Sequence, residues 1–357
     1  LAMYWAFPVL KPLPMSAASS GWMKRMQAER RQHMELQQIP LTALAGVQIG
    51  HAQDEAAATG CTVFLLGAEG APAGLDVRGG GPASRESELL KPLAAAGAIH
   101  AILLSGGSAF GLDAAGGVMR YLEENGIGFD TGYARVPLVC QADLYDLSLG
   151  SAAVRPDAAM AYAACQDAAR STWRGGNVGA GAGASVGKPC GMERAMKSGI
   201  GACAFQLGAL QVAAVVAVNA LGDVIDPATG RRVAGLRDAD GQFRPDSPGA
   251  EAALLASTAV TENRFVSNTT LGVVLTNAQF DKTALCKIAG MAQDGLARAI
   301  CPVHTSADGD TVYAVSLGQV AADRDVVGTL AARAVEGAIL DAVRVPGANG
   351  LPGIQDA

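Results

Sequence analysis

The stretch SNTTLGVVLT, residues 267–276, is the part of the sequence that is most informative about the fold. Its run TLGVVLT, residues 270–276, is short and apolar and predicts a buried strand. The segment before it, residues 236–267, is rich in Asp, Pro, Gly, Ser and Thr and predicts at most one short helix around residues 250–257. A linker of this length is uncommon inside a compact chain and is usually functional, so we interpret it as a processing segment.

Strands and helices alternate on both sides of this stretch. Apolar runs bounded by glycine or polar turns predict strands at 99–104, 201–205, 210–218, 223–225, 270–276 and 310–317. Helical periodicity predicts helices at 109–124, 157–170, 282–300 and 323–343. This mixture predicts an α/β fold of stacked sheets with helices outside.

The composition excludes several classes of protein. The 357 residues are 50% hydrophobic and carry a net charge of −6, which argues against a nucleic acid or an anionic membrane as partner. The longest apolar runs, such as 212–218, are much shorter than the roughly 20 residues that span a bilayer. The 7 cysteines form no C-x-x-C pair and only 4 histidines exist, so we expect no disulfide framework, no metal and no cofactor. We expect a cytoplasmic protein.

The first 38 residues differ from the rest. They lack a basic region ahead of a clean apolar core, so they predict no signal peptide. Met15, Met23 and Met34 are each a candidate for a later true start. We interpret residues 1–38 as a loosely attached tail or an extension, and residues 39–357 as a single domain.

The dipeptide Asn268-Thr269 is the first candidate for chemistry. A threonine hydroxyl is a weak nucleophile unless a base stands within hydrogen-bond reach. If the chain breaks before Thr269, its own α-amine becomes that base, and this amine titrates close to neutral pH. The ordinary alternative is a strand threonine, and Asn-Thr-Thr also fits a glycosylation sequon.

The motif HTSADGD, residues 304–310, is the second candidate. Asp308 and Asp310 lie two residues apart at a predicted turn and could orient a hydroxyl and an ammonium group. A calcium loop is excluded because the D-x-[DN]-x-[DN]-G spacing and the closing Glu are absent. A plain Asp-Gly hairpin turn is the alternative. We interpret His304 as a structural hydrogen-bonding residue.

Three further residues could belong to a site. The segment GGNVGAGAGASVGK, residues 175–188, fits neither a phosphate loop nor a dinucleotide loop, and is interpreted as closely approaching backbone that delivers Lys188. Asn219 ends the predicted strand 210–218 and could be a turn former or an oxyanion donor. Tyr145 could equally be a core aromatic residue.

Several ordered motifs together resemble a known family. They are VRGGGP at 77–82 with the following Arg85-Glu86, LSGGSAFGLDAA at 104–115, Asn268-Thr269-Thr270 before a buried strand, and HTSADGD at 304–310. This set resembles the self-processing family that contains L-aminopeptidase/D-esterases, β-peptidyl aminopeptidases and nylon-oligomer hydrolases. The resemblance covers residues 41–345.

The resemblance implies a four-layer α/β/β/α sandwich similar to N-terminal-nucleophile hydrolases but differently connected. It implies a precursor that splits into an α subunit, residues 1–268, and a β subunit, residues 269–357, which stay together. The implied roles are Thr269 as nucleophile, Asn268 as the residue before the cut, and Asn219 as the oxyanion donor. Tyr145 is implied as the active-site tyrosine. Lys188, Asp308 and Asp310 are implied to surround the threonine.

The implied activity is the hydrolysis of a small peptide or other linear amide through an acyl-enzyme, by an assembly of several αβ units. A threonine acyltransferase that passes the acyl group to an amine uses the same nucleophile and remains an alternative. So does a non-catalytic protein that only retains the fold. The serine-dependent aminopeptidases of the family carry other polar residues where this chain has Asp308 and Asp310, so the substrate stays open among L-peptides, D-amino-acid amides or esters, β-peptides and nylon-type oligomers.

Overall fold

The computed structural model describes residues 35–170, 172–257 and 268–356. The strands are β1 Leu36–Ile39, β2 Gln48–Asp54, β3 Thr59–Leu65, β4 Ala73–Val77, β5 Ala83–Arg85, β6 Ala101–Ser105, β7 Phe129–Asp130, β8 Arg135–Val136, β9 Val139–Asp143, β10 Ser185–Val186, β11 Met196–Lys197, β12 Ile200–Leu207, β13 Leu210–Asn219, β14 Asp223–Ile225, β15 Arg232–Ala234, β16 Thr269–Ala278, β17 Ile300–Cys301 and β18 Thr311–Val320. The α-helices are α1 Ala115–Glu124, α2 Ala158–Ala168, α3 Ala250–Ala256, α4 Lys282–Ala299 and α5 Arg324–Ala342.

Two large sheets form the centre of the molecule. One has the strand order β1-β12-β13-β16-β18-β4, and the other has the order β2-β3-β6-β9-β5. Strand β13 shows why they pack face to face: Val215 and Ala217 point into a core shared with Phe64 and Ile102 of the second sheet. Alternate side chains of a strand point to opposite faces, so the remaining apolar residues of β13 are available to a second core.

Helices cover both outer faces of this pair of sheets. On the six-stranded sheet, Val216 packs with residues of α4 and α5 such as Leu296 and Val335. On the five-stranded sheet, Val63 packs with residues of α1 and α2, including Val118. The layer order is therefore α/β/β/α, and the predicted sandwich is confirmed.

Each sheet contains one parallel pair, joined through a covering helix. Strands β16 and β18 are parallel and connected by α4, whereas β6 and β9 are parallel and connected by α1. Aspartate N-caps begin the covering helices α2, α4 and α5: the side chains of Asp157, Asp281 and Asp323 each accept a backbone N–H of the first turn. No helix of the described residues is long and apolar enough to cross a membrane.

The predicted helix 109–124 begins differently from the prediction. Residues Ser108–Ala114 form a 3-10 helix, and α1 starts only at Ala115. The amide of Gln141 explains the change, because it donates to the carbonyl of Gly111 (2.6 Å) and accepts from the N–H of Ala115 (3.1 Å). These are the two groups that an α-helical hydrogen bond would join, so the side chain replaces that bond.

The N-terminal boundary also differs. Residues 36–39 form β1, which pairs antiparallel with β12 at the edge of the six-stranded sheet. The predicted tail boundary at residue 38 therefore falls inside a strand. Residues 1–34 and the end of the predicted processing segment, 258–267, lie outside the described residues.

Candidate active site

Strand pairing brings Thr269 and Asn219 together. Thr269 is the first residue of β16, and its partner across the antiparallel pair is Asn219, the last residue of β13. Asn268 and Thr269 are each only 1% exposed. The proposed cleavage point thus lies at the start of a central strand inside the protein.

Two donors converge on the carbonyl oxygen of Asn268. The hydroxyl of Thr269 donates to it, and the backbone N–H of Gly309 donates to it at 3.1 Å. A Cβ atom at Gly309 would lie 2.7 Å from the Thr269 Oγ1, so only glycine lets the backbone come this close. A backbone N–H in this position can stabilise negative charge that develops on the carbonyl oxygen.

Asp310 anchors the strand that carries Thr269. Its Oδ1 accepts the backbone N–H of Thr270 at 2.8 Å, and its Oδ2 accepts the backbone N–H and the Nδ1 of His304 at 3.1 and 2.8 Å. The carboxylate is 1% exposed, so these donors replace the water that it loses on burial. The structure thus links Asp310 to the strand that begins at Thr269 through the backbone N–H of Thr270.

Asp308 lies in the same loop with a different set of partners. Its Oδ2 accepts the N–H and the hydroxyl of Thr305 at 2.9 and 2.5 Å. Burial raises the pKa of Asp308, the charge of Asp310 raises it further, and Lys188 opposes both effects. The loop is therefore held by its own hydrogen bonds, but it is not a β-hairpin, because β17 pairs with β14 whereas β18 pairs with β16 and β4.

Lys188 reaches the end of β13 from the glycine-rich segment. Its Nζ donates to the side-chain oxygen of Asn219 at 2.7 Å and to the backbone carbonyl of the same residue at 3.1 Å. Burial lowers the pKa of Lys188 to about 7, although Asp308, Asp310 and Asp146 act in the opposite direction. An amine with this pKa is partly neutral at neutral pH and can take up a proton.

The preceding Gly187 explains how the lysine is delivered. Its φ is +75°, and a Cβ there would lie 2.0 Å from the backbone nitrogen of Leu236. The N–H groups of Gly187 and Lys188 bond to the carbonyls of Gly222 and Leu221, which follow β13. The segment is closely approaching backbone, as the sequence predicts.

The amide of Asn219 is held in one orientation. Its Oδ1 accepts from Lys188 and from the backbone N–H of Ser185 (3.2 Å), and its Nδ2 donates to the backbone carbonyl of Tyr145 at 2.7 Å. One amide hydrogen is thus used by Tyr145 and a second is left for another acceptor. The structure brings Tyr145 to the site through its backbone carbonyl.

The glycine motif of residues 77–82 has a role that sequence reasoning missed. The N–H groups of Gly79 and Gly81 donate to the backbone carbonyls of Asp310 (3.3 Å) and Asp308 (2.9 Å). A Cβ at Gly79 would lie 2.3 Å from the nitrogen of Asp310. The motif is therefore a backbone clamp on the loop that carries both aspartates. A run of three glycines signals close backbone approach, but it does not say which segment approaches.

The structure brings all the predicted site residues into one region. They are Tyr145, Lys188, Asn219, Asn268, Thr269, Asp308 and Asp310. Nowhere in the described part of the chain is a group of three or more His, Cys, Asp or Glu side chains placed to hold a metal ion.

The sequence is similar to those of known proteins over most of its length. An uncharacterised aminopeptidase of Mycobacterium leprae is 40% identical over 300 residues, which are 79% of each chain. The 6-aminohexanoate-oligomer endohydrolase of an Agromyces species is 34% identical over 312 residues, covering 83% of this chain and 84% of that protein.

Solved structures show the same fold at lower identity. A β-aminopeptidase of a Burkholderia species superposes with a TM-score of 0.61 at 21% identity, over 91% of this chain and 95% of that one. The L-aminopeptidase D-Ala-esterase/amidase of Ochrobactrum anthropi, described as a variant of the Ntn-hydrolase fold, has a TM-score of 0.61 at 16% identity, over 88% and 90%. The sequence profile of peptidase family S58 matches residues 40–354. The chain belongs to peptidase family S58 and is a hydrolase of amide bonds.

Proposed function

We propose that the chain cuts itself between Asn268 and Thr269, and that the freed Thr269 then hydrolyses small linear amides. One observation carries the proposal. The carbonyl of the peptide bond 268–269 is held between the hydroxyl of the following threonine and the N–H of Gly309, in a site closed to solvent. A nucleophile and an oxyanion donor at one carbonyl are the two groups that acyl transfer needs.

In the first step the Thr269 Oγ1 attacks the carbonyl carbon of Asn268. The nitrogen of Thr269 is still an amide at this stage and cannot take the hydroxyl proton. We assign the base to Lys188, because its amine bonds to Asn219, the residue paired with Thr269 across the two strands, and its lowered pKa of about 7 leaves a neutral amine available at neutral pH. The C–N bond breaks as the nitrogen gains a proton, an ester to Oγ1 results, and water hydrolyses it to a carboxylate at Asn268 and a free amine at Thr269.

Turnover repeats this chemistry on a substrate. The free amine of Thr269 takes the proton of its own hydroxyl, and Oγ1 attacks the substrate carbonyl. The N–H of Gly309 and the remaining amide hydrogen of Asn219 stabilise the oxyanion. The amine half of the substrate leaves with a proton, an acyl-enzyme remains, and water releases the acid.

The sheet order keeps the two fragments together. After the cut, β16 and β18 belong to the small fragment, but they lie between β13 and β4 of the large one. Eight residue pairs join β13 to β16, and five join β18 to β4. Separating the fragments would dismantle the sheet, so we propose a permanent αβ unit, which further assembles with copies of itself.

The relatives guide the choice of substrate. One is named an aminopeptidase and another an endohydrolase of 6-aminohexanoate oligomers, so we propose small linear amides as the substrate class. We also propose that the enzyme works in the cytoplasm and without a cofactor.

A matched pair of threonine variants tests the function. Purified Thr269→Ala should run as one uncut band near 36 kDa on a denaturing gel and should not hydrolyse amino-acid p-nitroanilides. Thr269→Ser keeps a hydroxyl and should be cut. Two bands from the alanine variant would contradict the proposal.

A further inference from the structure

His304 is linked to strand β16, which begins at Thr269, through the carboxylate of Asp310. Its backbone N–H and its Nδ1 both donate to the Oδ2 of Asp310, at 3.1 and 2.8 Å. The other oxygen of that carboxylate accepts the N–H of Thr270 at 2.8 Å. Because the two oxygens of a carboxylate have a fixed angle between them, holding Oδ2 determines where Oδ1 points.

The backbone of His304 is shaped for this double donation. Its φ is +56°, in the left-handed region that non-glycine residues seldom adopt and in which Asn, Asp and His are enriched. Residues in such conformations cluster at functional sites, where the surrounding structure holds them. A histidine that only filled space would not need this conformation.

The surroundings of the ring place a hydrogen on Nδ1. A carboxylate has no hydrogen to give, so the ring must carry its proton on Nδ1. The Nε2 is buried, and it has no hydrogen-bond partner among the residues that the structure describes. An N–H at Nε2 would be unpaired, and an unpaired buried donor costs more free energy than an unused lone pair.

We propose that His304 is a positioning residue that orients Thr269 through Asp310. The hydrogen bond at Thr270 N fixes the peptide plane between residues 269 and 270, and this plane sets the direction of the Thr269 side chain. Losing the ring donor leaves the Oδ2 of Asp310 with only the backbone N–H of His304, so the carboxylate is held less firmly and the nucleophile departs more often from its line of attack. The inference rests on the proposed role of Thr269.

The test compares His304→Gly with His304→Asn. Both residues adopt a left-handed φ without large strain, but only asparagine keeps an N–H near the position of Nδ1. Self-cleavage is followed on denaturing gels, and kcat and KM for an amino-acid p-nitroanilide are measured per cut chain. The glycine variant should cut and turn over about 10- to 100-fold more slowly, with KM within about twofold of wild type. The asparagine variant should recover most of both rates.

A control separates positioning from general loss of stability. His100 is also a buried histidine with one ring hydrogen bond, from the backbone N–H of Leu138 at 3.0 Å, and it lies before β6 in the other sheet. His100→Ala should lower the thermal midpoint and leave the kcat of the folded enzyme unchanged.

Two results would overturn the inference: a folded glycine variant that cuts and turns over like wild type, or an asparagine variant no faster than the glycine one. A wild-type enzyme that is active but uncut at 268–269 would instead defeat the proposed function.

Discussion

Two buried polar clusters in this protein contain the same kinds of side chain. The first consists of Thr269, Lys188, Asp308 and Asp310. The second consists of Thr59, Lys197 and Asp146. All of these groups are nearly or fully buried, and each threonine begins a central strand of its sheet. Only the first cluster is assigned chemistry, so the difference between them shows what turns such a set into a reactive site.

The hydroxyls differ in their acceptors. Thr59 donates to the Oδ2 of Asp146 at 2.7 Å, and the other oxygen of that carboxylate accepts the N–H of Gly107 at 2.8 Å. Its hydroxyl therefore faces a carboxylate and not a peptide carbonyl. Thr269 donates to the carbonyl of Asn268, which is an electrophile that Gly309 also polarises.

The two lysines also differ in their acceptors: Lys188 donates to the side chain and the backbone carbonyl of Asn219. Lys197 donates to the backbone carbonyls of Gly181 and Ala184, each at 3.0 Å, and to that of Ser198, so it ties loops together. Burial lowers the pKa of both lysines to about 7. The lowered pKa is therefore common to both clusters, and the two lysines differ in their hydrogen-bond partners.

Exchanging each lysine for methionine should give the largest contrast. Lys188→Met removes the proposed base, and self-cleavage should slow by about 10²- to 10⁴-fold. Lys197→Met removes the donor of three buried backbone carbonyls, so the free energy of unfolding should fall by about 1–3 kcal/mol for each carbonyl left unpaired, while the folded protein still cuts itself. Gel time courses and urea denaturation measure the two effects. Equal slowing of self-cleavage by both variants would contradict the assignment of the base to Lys188 alone.

A methyl group at Gly309 should be the next most damaging change. Gly309→Ala places a Cβ 2.7 Å from the Thr269 Oγ1 and 2.9 Å from the carbonyl oxygen of Gly81, so the loop must move. We expect self-cleavage and kcat to fall about 100-fold. Gly97→Ala is the matched control, because nothing lies within 4 Å of its Cβ position. Normal self-cleavage of Gly309→Ala would show that the close approach of this loop to Thr269 is not required.

The pH dependence of self-cleavage should follow Lys188. Its pKa is lowered to about 7, so the amine is mostly protonated at pH 6 and mostly neutral at pH 8. If the neutral form is the base, the rate of self-cleavage should rise about tenfold between these values and then level off. Rapidly purified precursor incubated across buffers gives the profile. A rate that is flat or falls over this range contradicts the assignment.

Removing the hydroxyl of the second cluster should have the smallest effect. Thr59→Val loses the hydrogen bond to Asp146, and the free energy of unfolding should drop by about 1.5–3 kcal/mol. Self-cleavage and turnover of the folded protein should stay at the wild-type rate. Slower self-cleavage at unchanged stability would mean that the second cluster takes part in the chemistry through Asp146.

Local sequence patterns predicted the elements nearest Thr269 well. The predicted helix 282–300 is observed as Lys282–Ala299, and the predicted strand 210–218 as Leu210–Asn219. Periodicity suffices here because each element buries one regular face. The strands β2 to β5 were not predicted; β2, for example, mixes His51, Gln53 and Asp54 with small residues and shows no clear alternation.

The assembly of the site required long-range information. Asn219 opposes Thr269 only in the observed register of β13 on β16, and a shift by one residue would turn either side chain to the other face. The clamp by Gly79 and Gly81 joins segments more than two hundred residues apart. The family resemblance predicted which residues belong to the site, but the hydrogen bonds that orient these residues depend on the long-range contacts.

The most direct test of the account is the intact mass of the purified, active enzyme under denaturing conditions, together with N-terminal sequencing of its small fragment. We predict two chains and a small fragment whose sequence begins TTLGVV, at Thr269. Full activity from a single chain with an unbroken bond between Asn268 and Thr269 would contradict the central claim.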